Sequence, residues 1–175
     1  TRRFSATDRS ATSPKGLKVR WNCRPTSGSM QPIHTTSDLD ISDRYWGARS
    51  EGAFVFKTLL DLGTELIFGS DAPVETPNPF IGLHAAVTRR RANGDPSPDG
   101  WHPEQKITLY QALQGFTTAP AASNGGFERS GALKPGNNAD LIALDVDPFK
   151  IDPQDLHLIK PIKTMVAGEW VYEAS

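Results

Sequence analysis

Apolar and polar positions divide the chain into three kinds of stretch. Thr64-Glu65-Leu66-Ile67-Phe68 is short, apolar and partly β-branched, which predicts a buried strand over 64–68. Gly69 and Ser70 close it, and Pro73 prevents its continuation as a central strand. Over 50–62 the spacing predicts a helix: Ser50 is a capping residue, Ala53, Phe56, Leu59 and Leu60 form an apolar stripe, and Gly63 ends it. Residues 29–34 predict a short strand that enters a polar, solvated loop over 35–43. Strand, loop, helix and strand in that order form one β-α-β unit, which implies parallel strands.

Prolines 73, 77 and 79 stiffen the next loop, and a helix is expected over 80–92. Arg89, Arg90 and Arg91 suit the negative end of its dipole and are expected to form a solvated face. Residues 93–100 are a Gly/Pro/Asp turn region. Thr108 is a good N-cap for a helix over 109–116, Pro120 interrupts, and 121–124 suggest one more helical turn. From Gly131 onward strands are expected over 139–144, 162–167 and 169–172, the last two joined as a tight hairpin at Gly168. That antiparallel piece is too small to stand alone. His157, in the stretch before the hairpin, is expected to be structural or exposed.

Composition alters this picture at one end only. The chain has 175 residues, 37% of them apolar and 22% charged, with a net charge of −1, so it has no general pull toward nucleic acid or an anionic membrane. No apolar run reaches the roughly 18 residues that a membrane span needs. One cysteine, Cys23, rules out an internal disulfide and does not mark an oxidising compartment, so a cytoplasmic location is the expectation. Residues 1–28 differ from the rest. They carry seven basic residues, from Arg2 to Arg24, against Asp8, are rich in Ser and Thr, and show no period. The expectation is a disordered segment, not a nucleic-acid arm, because interleaved aromatics beyond Trp21 and a dense charge block are lacking.

Two residues carry candidate chemistry. Asp71 stands just past the tip of the 64–68 strand, where α/β barrels place catalytic groups; the ordinary alternative is a cap of the following turn. His34 follows the 29–34 strand and could face a site, although a lone histidine is more often a surface or hydrogen-bonded residue.

Three motifs in order resemble a known family. Phe68-Gly69-Ser70-Asp71-Ala72-Pro73-Val74-Glu75, then Gly100-Trp101-His102-Pro103-Glu104-Gln105, then Gly131-Ala132-Leu133-Lys134-Pro135-Gly136-Asn137-Asn138-Ala139-Asp140-Leu141-Ile142 look like the C-terminal part of the amidohydrolase superfamily, family 3, the branch of N-substituted formamide deformylase-like proteins. Met30-Gln31-Pro32-Ile33-His34 and Tyr45-Trp46-Gly47-Ala48-Arg49-Ser50 fit the same branch. The resemblance covers about residues 29 to 175. It implies a metal-dependent hydrolase acting on non-peptide carbon–nitrogen bonds such as amides or formamides, with a divalent metal, zinc, and a small-molecule substrate. It makes Asp71 both metal partner and proton acceptor for the attacking water, and His34, Trp46 and Arg49 substrate-binding residues.

The chain also departs from the family pattern. A His-x-His on the first strand and histidines on the fifth and sixth are missing, since the chain holds only His34, His84, His102 and His157. A (β/α)₈ barrel takes about 250 residues. The fold expected is therefore α/β: the C-terminal fragment of a TIM-like (β/α)8 barrel over 29–130, its last strands and helices, plus part of a small β-sandwich over 131–175. Residues 1–28 are expected to be out of register with the family, as after a frameshift; an upstream reading frame without an Ile/Val-Glu-His strand would refute that. The alternative is an inactive remnant or interaction fragment that binds no metal and exposes strand edges.

Overall fold

The computed structural model describes residues 27–123 and 129–174, together with the backbone of Ala11–Thr12 (β1) and Lys18–Val19 (β2), which pair antiparallel. The rest of the 1–28 segment lies outside the described residues. Its end does not: Ser27–Met30 forms β3, so the ordered strand begins two residues before the sequence suggests and ends at Met30. The strand β4 spans Glu65–Phe68 and pairs with β3 in parallel, Met30 opposite Phe68, as the β-α-β pattern requires.

The crossover between them differs from expectation. Residues 35–43 are not a polar loop. They belong to α1 (His34–Ser37) and α2 (Leu39–Trp46). The hydroxyls of Thr35 and Thr36 donate to the Pro32 and Ile33 carbonyls at 2.8 and 2.7 Å, so two polar residues satisfy themselves locally and are buried. The expected helix over 50–62 is shorter as well. Gly47–Gly52 is a 3-10 turn, Phe54 has φ +51, and α3 covers only Phe56–Asp61. Ser50 does not cap it. Its hydroxyl is buried and donates to Asp43 Oδ1 at 2.7 Å.

Helix α4 (Pro79–Thr88) starts with Pro79 inside its first turn, behind Asn78, whose side chain accepts from the Phe80 N–H. It stops four residues before the expected end because Arg89 turns left-handed, φ +58. The three arginines are not one solvated face: Arg89 is fully buried, and Arg91 donates to the Thr36 carbonyl and to Asp40. Helix α5 (Leu109–Phe116) carries the predicted Thr108 cap as a full capping box with Gln111, and α6 (Thr118–Ser123) follows. Strands β5 (Leu141–Leu144), β6 (Pro161–Val166) and β7 (Glu169–Glu173) form an antiparallel sheet in that order. Both central residues of the β6–β7 turn, Ala167 and Gly168, have positive φ, which explains the glycine.

The core lies between β4 and helices α3, α4 and α5. Phe56, Leu66, Phe68, Phe80, Leu83 and Ala112 are buried there, joined by Leu156 and Ile159 from the 3-10 turn Pro153–Leu158 and the residue after it. The Phe68 ring packs on Phe56 and Phe116, with centroids 5.4 and 5.5 Å away. Each such side chain contributes about 1.5–3 kcal/mol on burial. Gly115 exists for this contact, since a Cβ there would stand 2.4 Å from Phe68 Cδ2. Gly115→Ala is therefore expected to destabilise by about 1–3 kcal/mol despite alanine's better helix propensity, read as a lower urea midpoint. No helix of the described residues is long and apolar enough to cross a membrane.

Candidate active site

Parallel pairing brings two loops to one edge. The chain leaves β3 at Met30 and reaches His34 four residues later; it leaves β4 at Phe68 and reaches Asp71 three residues later. Because Met30 and Phe68 are opposite each other, both side chains meet beyond the C-terminal ends of the strands. His34 Nε2 lies 3.3 Å from Asp71 Oδ2. The other ring nitrogen, Nδ1, lies 3.1 Å from Asp38 Oδ2, 3.3 Å from Ser37 Oγ and 3.8 Å from Glu75 Oε1. The imidazole is thus set between carboxylates on both sides and is largely enclosed, while Asp71 is half exposed.

Asp71 is not a cap. Its backbone carbonyl accepts from the N–H groups of Val74 and Glu75, and its carboxylate is left to His34. Its φ of +58 turns the chain sharply at this point. The helix that presents His34 is tied down at a distance by Arg91, which donates to the Thr36 carbonyl at 2.9 Å and to Asp40 at 2.7 Å. Chemically, a half-exposed carboxylate beside an imidazole can accept a proton from a bound water and share it with the ring.

Trp46 and Arg49 are not part of this contact. Trp46 ends α2, Arg49 lies in the 3-10 turn, and both are exposed, with no hydrogen bond or ion pair to His34 or Asp71 among the described residues. Their turn is braced from below by Asp43, which accepts from Ser50 and from Trp101 Nε1 at 3.1 Å. His102 packs against Trp101 with the rings tilted at 51°, approaches Ser50 at 3.4 Å, and burial pulls its pKa below the ordinary value. Sequence reasoning missed Asp38 and Glu75. Asp38 is legible only after 34–38 is recognised as helical, because it is then the i+4 neighbour of His34. Glu75 closes the first motif, but its approach to His34 depends on the turn at Asp71, which the motif does not show.

The residues do not amount to a metal centre. Among the described residues no group of three or more His, Cys, Asp or Glu could hold an ion. The three carboxylates around His34 are directed at its ring. A zinc-like ion takes three or four protein ligands, so the described residues alone do not fit one. A groove of about 600 Å³ lined by Phe116, Pro120, Leu133, Asp140 and Ile142 does not include His34 or Asp71.

Comparison with known proteins agrees with the motifs. Residues 24–172 match the family model described as amidohydrolase family. The chain belongs to that family. YtcJ of Bacillus subtilis, named as an amidohydrolase, is 34% identical over 152 residues, covering 86% of this chain and 28% of the relative. The N-substituted formamide deformylase of Arthrobacter pascens is 30% identical over 120 residues, 69% of this chain and 21% of its own. An uncharacterised metal-dependent hydrolase from Pyrococcus horikoshii OT3 superposes with a TM-score of 0.60 at 30% identity, covering 71% of this chain and 25% of that one. This amidohydrolase chain therefore spans between about a fifth and just over a quarter of the length of these relatives.

Proposed function

We propose that the chain supplies the C-terminal part of a hydrolase that cleaves non-peptide carbon–nitrogen bonds, such as amides or formamides, in a small-molecule substrate. The observation that carries this is the meeting of His34 and Asp71 at the C-terminal edge of β3 and β4, 3.3 Å apart. In α/β barrels that edge is the catalytic one. On this reading the β3–β4 unit is the end of a TIM-like (β/α)8 barrel and β5–β7 is part of a small β-sandwich. The family's divalent metal, zinc, would be held mainly by residues beyond those described, with Asp71 as the donor from this chain. Asp71 takes the proton from the attacking water. His34 orients Asp71 through Oδ2, and Trp46 and Arg49 line the substrate's approach.

A second reading has one observation in its favour. Trp170, Val171 and Tyr172 of β7 are all exposed, as are Ile142 and Val166 on the neighbouring strands. An interaction fragment without catalysis would present such a sheet.

The two readings separate in a chimera. Residues 29–172 replace the matched segment of the Arthrobacter deformylase, and hydrolysis of an N-substituted formamide is measured with zinc present. Turnover that a chelator removes is the expected result. A folded, zinc-loaded chimera without turnover would refute the catalytic reading.

A further inference from the structure

Two histidines that the site does not use face each other across a packing seam. Helix α4 presents His84, only 2% exposed, toward the 3-10 turn Pro153–Leu158. His157 on that turn packs edge-on against it, with ring centroids 4.8 Å apart and the planes at 66°. The His157 Nδ1–H donates to the Gln154 carbonyl at 2.7 Å, which orients the ring. Thr88 Oγ1 stands 3.5 Å from His84 Nε2 and spends its own proton on the His84 carbonyl at 2.8 Å.

The seam joins two parts of the protein. Leu156 and Ile159, almost fully buried, enter the main core beside α4, and β6 begins two residues after Ile159. Whatever loosens the turn from α4 therefore loosens the attachment of the β5–β7 sheet.

We propose that His84 and His157 form an acid-sensitive latch that holds the Pro153–Leu158 turn, and the sheet after it, against α4. A proton on His84 would place a cation in a closed seam, against the His157 ring 4.8 Å away. The groups acting on His84 are few. From the turn come His157, which opposes the charge, and the Gln154 side chain and Asp155, which favour it; from the end of α4 comes Arg90, which opposes it. Helices α1 and α5 also pack on α4 and add no charged group to this set. Burial is the largest influence, and together they lower the His84 pKa from 6.5 to about 4.

The sign follows from linkage. A base with a depressed folded pKa binds fewer protons when docked than when released. Docking is at full strength above the released value of 6.5 and weakens as pH falls toward about 4. A difference of 6.5 against about 4 corresponds to a rise of up to about 300-fold in the opening equilibrium.

The test is amide hydrogen exchange on the full chain between pH 7 and 4, corrected for the intrinsic rate, with an NMR titration of the His84 ring alongside. The expected result is that amides of residues 153–173 lose protection steeply below pH 6 while those of β4 hold. His84→Gln should flatten that response, and His157→Phe, which keeps the ring contact but removes the imidazole that opposes a charge on His84, should make it smaller. The proposal is overturned by a His84 ring that titrates near 6.5, by β4 amides that open together with 153–173, or by an unchanged response in His84→Gln. The ring titration is read on the unmutated chain, so it decides the matter even where a variant does not fold.

Discussion

Asp71→Asn in the deformylase chimera is expected to lower kcat by about 10²- to 10⁴-fold, with KM and the unfolding midpoint nearly unchanged. The amide keeps the shape of the carboxylate and loses its capacity to take a proton. Stability should hold for two reasons. The Asp71 carboxylate is half exposed and contacts only His34 among the described residues, so the lost pair costs less than about 1 kcal/mol. The backbone at 71 has φ +58, a conformation that asparagine adopts more readily than most residues, so no strain is added. His34→Asn should have a smaller effect, because His34 reaches the proton acceptor from the side. Near-normal turnover in Asp71→Asn would remove Asp71 from the chemistry and leave the carboxylate as a local turn residue.

Arg89→Ala is expected to cost about 3–5 kcal/mol, the largest stability loss of any substitution considered, read as a reduced urea midpoint at unchanged m. Arg89 is fully buried, and burial lowers its pKa to about 10, so it remains charged at neutral pH. Its Nε donates to the Trp101 carbonyl at 2.8 Å and Nη1 to the Phe54 carbonyl at 2.9 Å, and the guanidinium lies over the Phe56 and Trp101 rings at 5.5 and 5.2 Å. Nη2 has no partner among the described residues. One side chain thus ties together the end of α4, the irregular 53–55 stretch and the turn at Trp101. Alanine would strand the buried Trp101 carbonyl, leave the Phe54 carbonyl to the Phe56 N–H alone, and open a cavity. Arg89→Met should lose less, about 1–3 kcal/mol, because it refills the space and removes a cation that has no buried carboxylate beside it. Equal losses for the two variants would show that the hydrogen bonds alone matter and that filling the space does not.

Elements with strong local stop, cap and turn signals were legible from pattern. β4 is a short β-branched run ended by glycine, α5 has its capping box, and the β6–β7 hairpin needs positive φ at Gly168; each was placed within a residue or two. Segments that depend on distant partners were not. Residues 35–43 read as solvated because they are polar, yet Thr35 and Thr36 become buried by back-bonding and Arg91 closes over them from 55 residues away. Ser50 read as a cap because it precedes an apolar stripe, yet Asp43 and the Trp101 turn draw its hydroxyl inward. The arginine run read as solvated because charge is usually exposed, whereas Arg89 is held inside by carbonyls and ring faces that no local window contains.

The candidate site divides in the same way. Asp71 stood out in the sequence because a strand, a glycine stop and an acid form a local word. Its partner did not. That His34 meets Asp71 follows from the parallel register that sets Met30 opposite Phe68. Asp38 and Glu75 then complete the surroundings of the ring through a helical turn and the reversal of the chain at Asp71. The sequence by itself determined the family, and it located β4, α5 and the β6–β7 hairpin to within a residue or two, because side-chain periodicity, caps and turn residues encode them. Which groups stand beside that carboxylate, and which charges are buried, only the tertiary structure decided, because those contacts join residues tens of positions apart and local patterns carry no information about them.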